Sequence, residues 1–262
     1  MQLQRATRLK QAAKPRRIGR AGYFSRYDAP MTQTDREKSH EFSRPVRSFV
    51  KRQGRMTEGQ RRALVKEWPR FGIDYAAQML DLDAACGRSA PLILEIGFGN
   101  GDNLVQMAEQ YPHQNFLGIE VHEPGVGHCL LKLAEHEISN VRLMRHDAVE
   151  VLRNCIADRS LARVNLFFPD PWPKKRHQKR RIVQHDFVKL IAQKLLPGGI
   201  FHVATDWQNY AEHIAEIMAD SPEFIALEQP PEDRSASRFD NRGQRLGHKN
   251  WERAWCTRSN KS

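Results

Sequence analysis

Long apolar runs are missing from this 262-residue sequence. None approaches the roughly 18 residues that a bilayer-spanning helix requires, and no apolar stretch follows Met1. A soluble, non-secreted protein of the cytoplasm is expected. Cysteine is also scarce: Cys86, Cys129, Cys155 and Cys256 are widely spaced with no C-x-x-C. That spacing indicates neither a disulfide framework nor a zinc site and suits reduced thiols. The eleven histidines form no H-E-x-x-H or similar pair, so no metal is expected. A G-K-[ST] phosphate grip is absent as well, which places nucleoside triphosphates behind other ligands.

Positive charge, by contrast, is abundant. The net charge of +11 and an isoelectric point near 9.7 point to a polyanionic partner, because Lys and Arg gain affinity by releasing counterions condensed along phosphates. Residues 1–44 carry 11 Lys/Arg against 4 Asp/Glu, which leaves the other 218 residues at only +4. The stretch is polar and poor in periodic apolar positions, so residues 1–43 read as a disordered basic arm that orders on nucleic acid. A solvated tail and an organelle transit peptide are competing readings. Pro15, Gly19 and Gly22 interrupt the stretch, and it has no clear amphipathic stripe.

From Pro45 onward the text becomes that of one enzyme-sized domain, residues 44–262. Thr57 with Gln60 three residues later is a capping-box signal for a helix reaching about Trp68 and stopped by Pro69. Beyond Pro91, short apolar runs alternate with helical stretches, the pattern of a parallel sheet covered by helices on both faces. Strands are expected near 92–96, 115–120, 141–145, 163–168 and 200–204. Helices are expected near 102–110, 124–136, 148–157, 184–196 and 208–219. Two further strands, near 224–228 and 251–257, flank an Arg/Gly-rich loop and close the sheet edge.

The first strand, Leu92-Ile93-Leu94-Glu95-Ile96, runs directly into Gly97-Phe98-Gly99-Asn100-Gly101 and a helix. Glycines permit a tight turn and a close ligand approach. A glycine turn alone is weak evidence, but the next strand ends in Glu120, 23 residues after Gly97, where an acid holds a ribose diol in nucleoside-binding folds. The glycine spacing departs from the G-x-G-x-x-G of dinucleotide sites. S-adenosylmethionine, phosphate-free and cationic, suits a loop headed by Glu95 and followed by Asp102. Asp147 either meets the adenine or serves as a helix N-cap.

After strand 163–168 come Phe168-Pro169-Asp170-Pro171-Trp172-Pro173 and then Lys174-Lys175-Arg176-His177-Gln178-Lys179-Arg180-Arg181. Three prolines in five residues fix the backbone at the carboxyl end of a central strand, where ligands bind in such folds. Six cations in eight residues suit a phosphate backbone, with Asp170 facing the cofactor.

Together the segments E-I-G-F-G-N-G, G-I-E-V-H, H-D-A, F-P-D-P-W-P-K-K-R-H and A-T-D-W resemble the tRNA (guanine-N7)-methyltransferase family, over about Arg44 to Arg258. The resemblance implies a class I methyltransferase, a Rossmann-like and mostly parallel seven-stranded sheet, with S-adenosyl-L-methionine as cofactor and a guanosine of the tRNA variable loop as target. It places cofactor contacts on Glu95, Gly97, Gly99, Glu120, Asp147 and Asp170, with Asp170 also catalytic. It places substrate contacts on Lys174, Asp206 and the loop Ser237, Arg238, Phe239 and Asp240, and RNA contacts on Arg176, His177, Gln178, Lys179, Arg180 and Arg181. The family has Thr and Glu where this chain has Ser237 and Asp240, which retains a hydroxyl and a carboxylate but shortens the acid by a methylene. A monomer or homodimer is expected. Two other classes stay open on the residues alone: a non-catalytic RNA-binding protein on a nucleoside-binding scaffold, and a nicotinamide-dependent oxidoreductase.

Overall fold

The computed structural model describes residues 47–49, 54–234 and 250–258; the basic arm expected over 1–43 and the 237–240 loop lie outside them. Thr57 opens helix α1 (Glu58–Lys66) with the expected capping box: its hydroxyl accepts from the Gln60 amide at 3.2 Å, and the Gln60 side chain accepts from the Thr57 amide at 2.8 Å. The helix ends before Pro69, which instead lies in the first turn of a second short helix, α2 (Trp68–Phe71). There its missing N–H has no intrahelical partner to lose, so proline starts a turn rather than stopping one. A third short helix, α3 (Leu82–Cys86), adds to the expected set, capped by Asp81 and ended by Gly87 at φ +73°.

Seven strands form one sheet: β1 (Leu92–Ile96), β2 (Asn115–Ile119), β3 (Val141–Met144), β4 (Leu161–Phe167), β5 (Leu195–Thr205), β6 (Phe224–Ala226) and β7 (Trp251–Thr257). Their order is β3-β2-β1-β4-β5-β7-β6, parallel except for β7, which runs antiparallel between β5 and β6. The connecting helices are α4 (Asp102–Gln110), α5 (Glu123–Glu135), α6 (Ala148–Asn154), α7 (His185–Lys194) and α8 (Gln208–Ala219). Two boundaries differ from expectation by more than two residues. Strand β5 begins at Leu195, which pairs with Leu161 before the register shifts across Pro197-Gly198-Gly199. Helix α6 ends at Asn154, and Ile156 beyond it is fully buried in the core.

Strand alternation divides the core in two. Leu94, Ile96, Leu117, Val164, Leu166, Phe201 and Val203 face one cluster, joined by Val151, Val188, Ile191, Tyr210 and Ile214 from α6, α7 and α8. On the opposite face, Ile93, Phe116, Val141 and Leu143 meet Leu104, Met107, Val126 and Leu130 from α4 and α5 and Ala63 from α1. Because β2 and β4 lie on opposite sides of β1, the strand order reverses at β1 and β4, opening a crevice at their carboxyl ends.

Candidate active site

The crevice holds a cavity of about 350 Å³, lined by Ile96, Gly97 and Gly99 from β1 and its loop, Ile119 to His122 after β2, His146 and Ala148 after β3, and Leu166 to Asp170 after β4, with Ser48, Phe49 and Ile182 at its edge. Gly97, Gly99 and Gly101 turn at φ +73°, +58° and +78°, the left-handed region that side chains with a Cβ rarely enter. The turn is closely backed. The Gly97 amide donates to Ile119 O at 2.8 Å, a Cβ at Gly101 would lie 2.4 Å from Cys129 Sγ, and one at Gly125 would lie 2.3 Å from Gly99 O.

Glu120 is buried at the end of β2, and its carboxylate organises the crevice. One oxygen accepts from the amides of Val121 (2.7 Å) and His122 (2.8 Å), and the other from the Gly99 amide (2.9 Å). Among the described residues two donors fill the first oxygen and one bonds the second, leaving it an acceptor site, and Glu120 lines the cavity. Beside it, the ring of His146 is a fixed wall, stacked on Tyr75 at 3.6 Å and 7° and bonded to Glu150.

Asp170 is exposed at the cavity mouth. It lies in a turn with two bulky residues in the left-handed region, Phe168 at φ +50° and Trp172 at φ +45°. Such conformations persist only where the surroundings hold them, and they cluster at functional sites. The Phe168 amide donates to Ala204 O at 2.8 Å, and Trp172 Nε1 donates to Ser48 O at 3.0 Å, while Arg180 lies 4.0 Å over the Trp172 ring.

Of the expected cofactor contacts, Gly97, Gly99, Glu120 and Asp170 converge on this cavity. Glu95 and Asp147 do not line it. Glu95 points to the α4 side of the sheet, 4% exposed, and accepts from Asn103 Nδ2 at 2.7 Å beneath the glycine turn. Asp147 caps α6 through the Val149 amide (2.9 Å), between His146 and Ala148, which do line it. Asp206 is half-buried directly after β5, next to β4, and Lys174 is exposed beyond the Asp170 turn. In the run 176–181, Arg176 and Lys179 are exposed, His177, Gln178 and Arg180 half-buried, and Arg181 buried. Ser237, Arg238, Phe239 and Asp240 lie outside the described residues.

One assembly escaped the sequence reading altogether. Across β4, β5 and β7, Arg163 donates to Asn165, His202 Nδ1 and Asp233, each at 2.7 Å; His202 Nε2 lies 2.7 Å from Glu252, which also takes Arg234 at 2.8 Å. Arg234 in turn lies over Phe167 and Phe168 at 5.6 and 5.4 Å, so the network ends on the Asp170 turn. Burial lowers the His202 pKa against the opposing bond to Glu252. A neutral ring fits the geometry, with Nδ1 accepting from Arg163 and Nε2–H donating to Glu252. Burial alone would raise Glu252, but the bonds from His202 and Arg234 hold it at about 2. The signal in the sequence was an Arg and an Asn inside an otherwise apolar strand, Leu161-Ala162-Arg163-Val164-Asn165-Leu166.

Burial pushes Glu95 up to about 7, only partly opposed by Asn103, Arg163 and Arg234. An unfolded glutamate titrates near 4.5, so between pH 4.5 and 7 the folded chain binds the extra proton and stability falls as pH rises. Glu95→Gln mimics the protonated acid and removes that loss. Its stability, followed by thermal melting, is expected to match the wild type near pH 4.5 and to gain progressively up to pH 7, by roughly 2–3 kcal/mol. A pH-independent difference in melting between the two proteins would contradict the buried-acid account.

Among the described residues the lining includes two carboxylates and no Lys or Arg, with apolar walls at Ile96, Ile119, Ala148 and Leu166. This fits a phosphate-free nucleoside bearing positive charge, as S-adenosyl-L-methionine is. Among the described residues no group of three or more His, Cys, Asp or Glu could hold a metal ion, and no helix is long and apolar enough to cross a membrane.

Comparison with known proteins agrees. Residues 89–253 match the family model described as "Putative methyltransferase". A tRNA (guanine-N(7)-)-methyltransferase of Sodalis glossinidius is 56% identical over 215 residues, 80% of this chain and 90% of that protein. One from Shewanella amazonensis is 54% identical over 217 residues, covering 80% and 91%. Among solved structures, the 16S rRNA methyltransferase KamB superposes with a TM-score of 0.51 at 12% identity, over 69% of this chain and 95% of that one, which supports the class I fold.

Proposed function

The chain belongs to the tRNA (guanine-N(7)-)-methyltransferase family, and on that footing we propose that its carboxylate-lined cavity methylates N7 of a guanosine in the tRNA variable loop. The observation that carries the reading is the convergence of Glu120, the glycine turn and Asp170 on one crevice whose lining, among the described residues, holds no Lys or Arg. Glu120 would hold the ribose of S-adenosyl-L-methionine through its free acceptor, and the Gly97–Gly99 backbone would flank the methionine portion. Bound there, the cofactor supplies an electrophilic methyl group on sulfur, which the in-plane N7 lone pair attacks without losing a proton.

No residue therefore needs to act as a base at N7. Asp170 faces the purine as positive charge develops on it, so its carboxylate stabilises the transition state more than the bound substrate and accepts hydrogen bonds from the guanine N1 and N2 edge. Asp206, on the neighbouring strand end, shares that edge. The exposed Lys174, Lys175, Arg176 and Lys179 hold the phosphate backbone, so tRNA is the partner. The enzyme acts in the cytoplasm, as a monomer or homodimer. A scaffold that binds RNA without catalysis has no need for Asp170 in a strained turn at the cavity mouth, and a nicotinamide dinucleotide would need a partner for its pyrophosphate.

A tRNA transcript carrying 7-deazaguanosine tests the chemistry, since it keeps the guanine edge but lacks N7. An unmodified transcript should accept one methyl group, while the 7-deaza transcript and one with adenosine in place of the variable-loop guanosines should accept none. Methylation of the 7-deaza transcript would refute N7 as the nucleophile.

A further inference from the structure

The cationic run after Asp170 does not face one way. Lys174, Lys175, Arg176 and Lys179 are exposed, whereas Arg181 is only 3% exposed and its guanidinium is engaged within the protein. Its Nε donates to Pro171 O at 3.0 Å, one terminal nitrogen donates to Asn209 Oδ1 at 2.7 Å, and the other to Asn209 O at 3.3 Å. The plane lies 4.8 Å over the ring of Tyr210, which is fully buried. Pro171 directly follows Asp170 and has no N–H, so its carbonyl is the backbone handle by which that point of the turn can be gripped.

We propose that Arg181 is a positioning residue for Asp170, anchored by Asn209 on the first turn of α8, and not a ligand of RNA phosphate. The proposal rests on the reading of Asp170 as the catalytic carboxylate. Contacts at the ends of the turn act on Phe168 and Trp172, and among the described residues Arg181 adds one between them, at Pro171 next to the acid itself. A buried guanidinium is tolerated because each of its three nitrogens donates a hydrogen bond, and its planar fork reaches Pro171 and Asn209 together while stacking on Tyr210. Lysine, a point charge on a flexible stem, cannot do all three. Buried and held through all three nitrogens, the guanidinium is withdrawn from the counterion release that phosphate contacts produce.

Single-turnover methylation of tRNA, normalised to the fraction that binds S-adenosyl-L-methionine, tests this with Arg181→Lys, Arg181→Gln and Asn209→Ala. Arg181→Lys and Asn209→Ala should each lower the maximal rate about tenfold, with KM for tRNA within twofold of wild type, and the double variant should fall little further than either. Arg181→Gln should leave the salt dependence of tRNA binding unchanged, whereas Lys179→Ser should reduce its slope by about 0.7–0.9 per lost phosphate contact. Wild-type maximal rates in Asn209→Ala, or in a folded Arg181→Lys, would overturn the proposal. A shallower salt slope in Arg181→Gln would also overturn it by making Arg181 a phosphate ligand. Asp170→Ala in parallel keeps the two ideas apart: an active Asp170→Ala removes the catalytic premise, while an inactive one beside fully active Arg181 and Asn209 variants overturns only the positioning role.

Discussion

Asp170→Ala is expected to slow methyl transfer by about 10²–10³-fold or more, with the cofactor still bound, because a preorganised group aimed at developing charge is worth that much. The carboxylate stands at the carboxyl end of β4, on a turn whose two left-handed residues are held at Phe168 by β5 and at Trp172 by Ser48 and Arg180. Rigidity gives it this leverage: a freely rotating acid would have to reorganise as charge moved onto the purine. Asp170→Asn separates charge from shape. It keeps the side-chain volume and one acceptor but loses the negative charge, so it should recover little of the rate. Calorimetric titration with S-adenosyl-L-methionine alongside single-turnover rates makes the distinction, and an alanine variant within tenfold of the wild-type rate would remove Asp170 from the chemistry.

Glu120→Gln is expected to weaken cofactor binding by about 10–100-fold. The native carboxylate lines the cavity, accepts from three backbone amides and, among the described residues, has one acceptor site left on the oxygen that Gly99 bonds. An amide in its place must turn an NH₂ group toward at least one of those N–H donors. The unpaired N–H lowers the stability of the free and bound protein alike, by about 1–3 kcal/mol, whereas losing a charge-assisted bond to a ribose hydroxyl costs about 1.5–3 kcal/mol of affinity. At about 1.4 kcal/mol per factor of ten, that bond is worth about one to two orders of magnitude in affinity. The loss should appear in affinity for S-adenosyl-L-methionine and S-adenosylhomocysteine alike. An unchanged dissociation constant would show that the ribose is held elsewhere.

Much of this architecture was legible in the sequence because its parallel strands are buried on both faces and read as uninterrupted apolar runs. Leu92–Ile96 and Trp251–Thr257 lie where the runs place them, and most other ends shift by one or two residues. The larger departures have local causes. Leu195 pairs ahead of a Pro-Gly-Gly irregularity that looks like a loop, and Pro69 occupies a helix position that requires no N–H.

At the site, spacing placed the acids along the chain but not the faces they point to. Glu120 and Asp170 lie past the ends of their strands, where the crevice opens. Glu95 lies one residue inside β1, so strand alternation turns it toward α4 and Asn103. The run 174–181 reads as uniform charge, but its short helical turn at Lys175–Arg180 directs some cations outward and brings Arg181 in against α8. The Arg163–His202–Glu252 network joins residues up to 89 positions apart and becomes visible only once β4, β5 and β7 are side by side.

The central claim is that this crevice methylates guanine N7 in tRNA, and nucleoside analysis tests it most directly. The protein is incubated with methyl-labelled S-adenosyl-L-methionine and unmodified tRNA, and the RNA is digested to nucleosides. Label in 7-methylguanosine is the predicted result; label in another nucleoside, or only in protein, would contradict it.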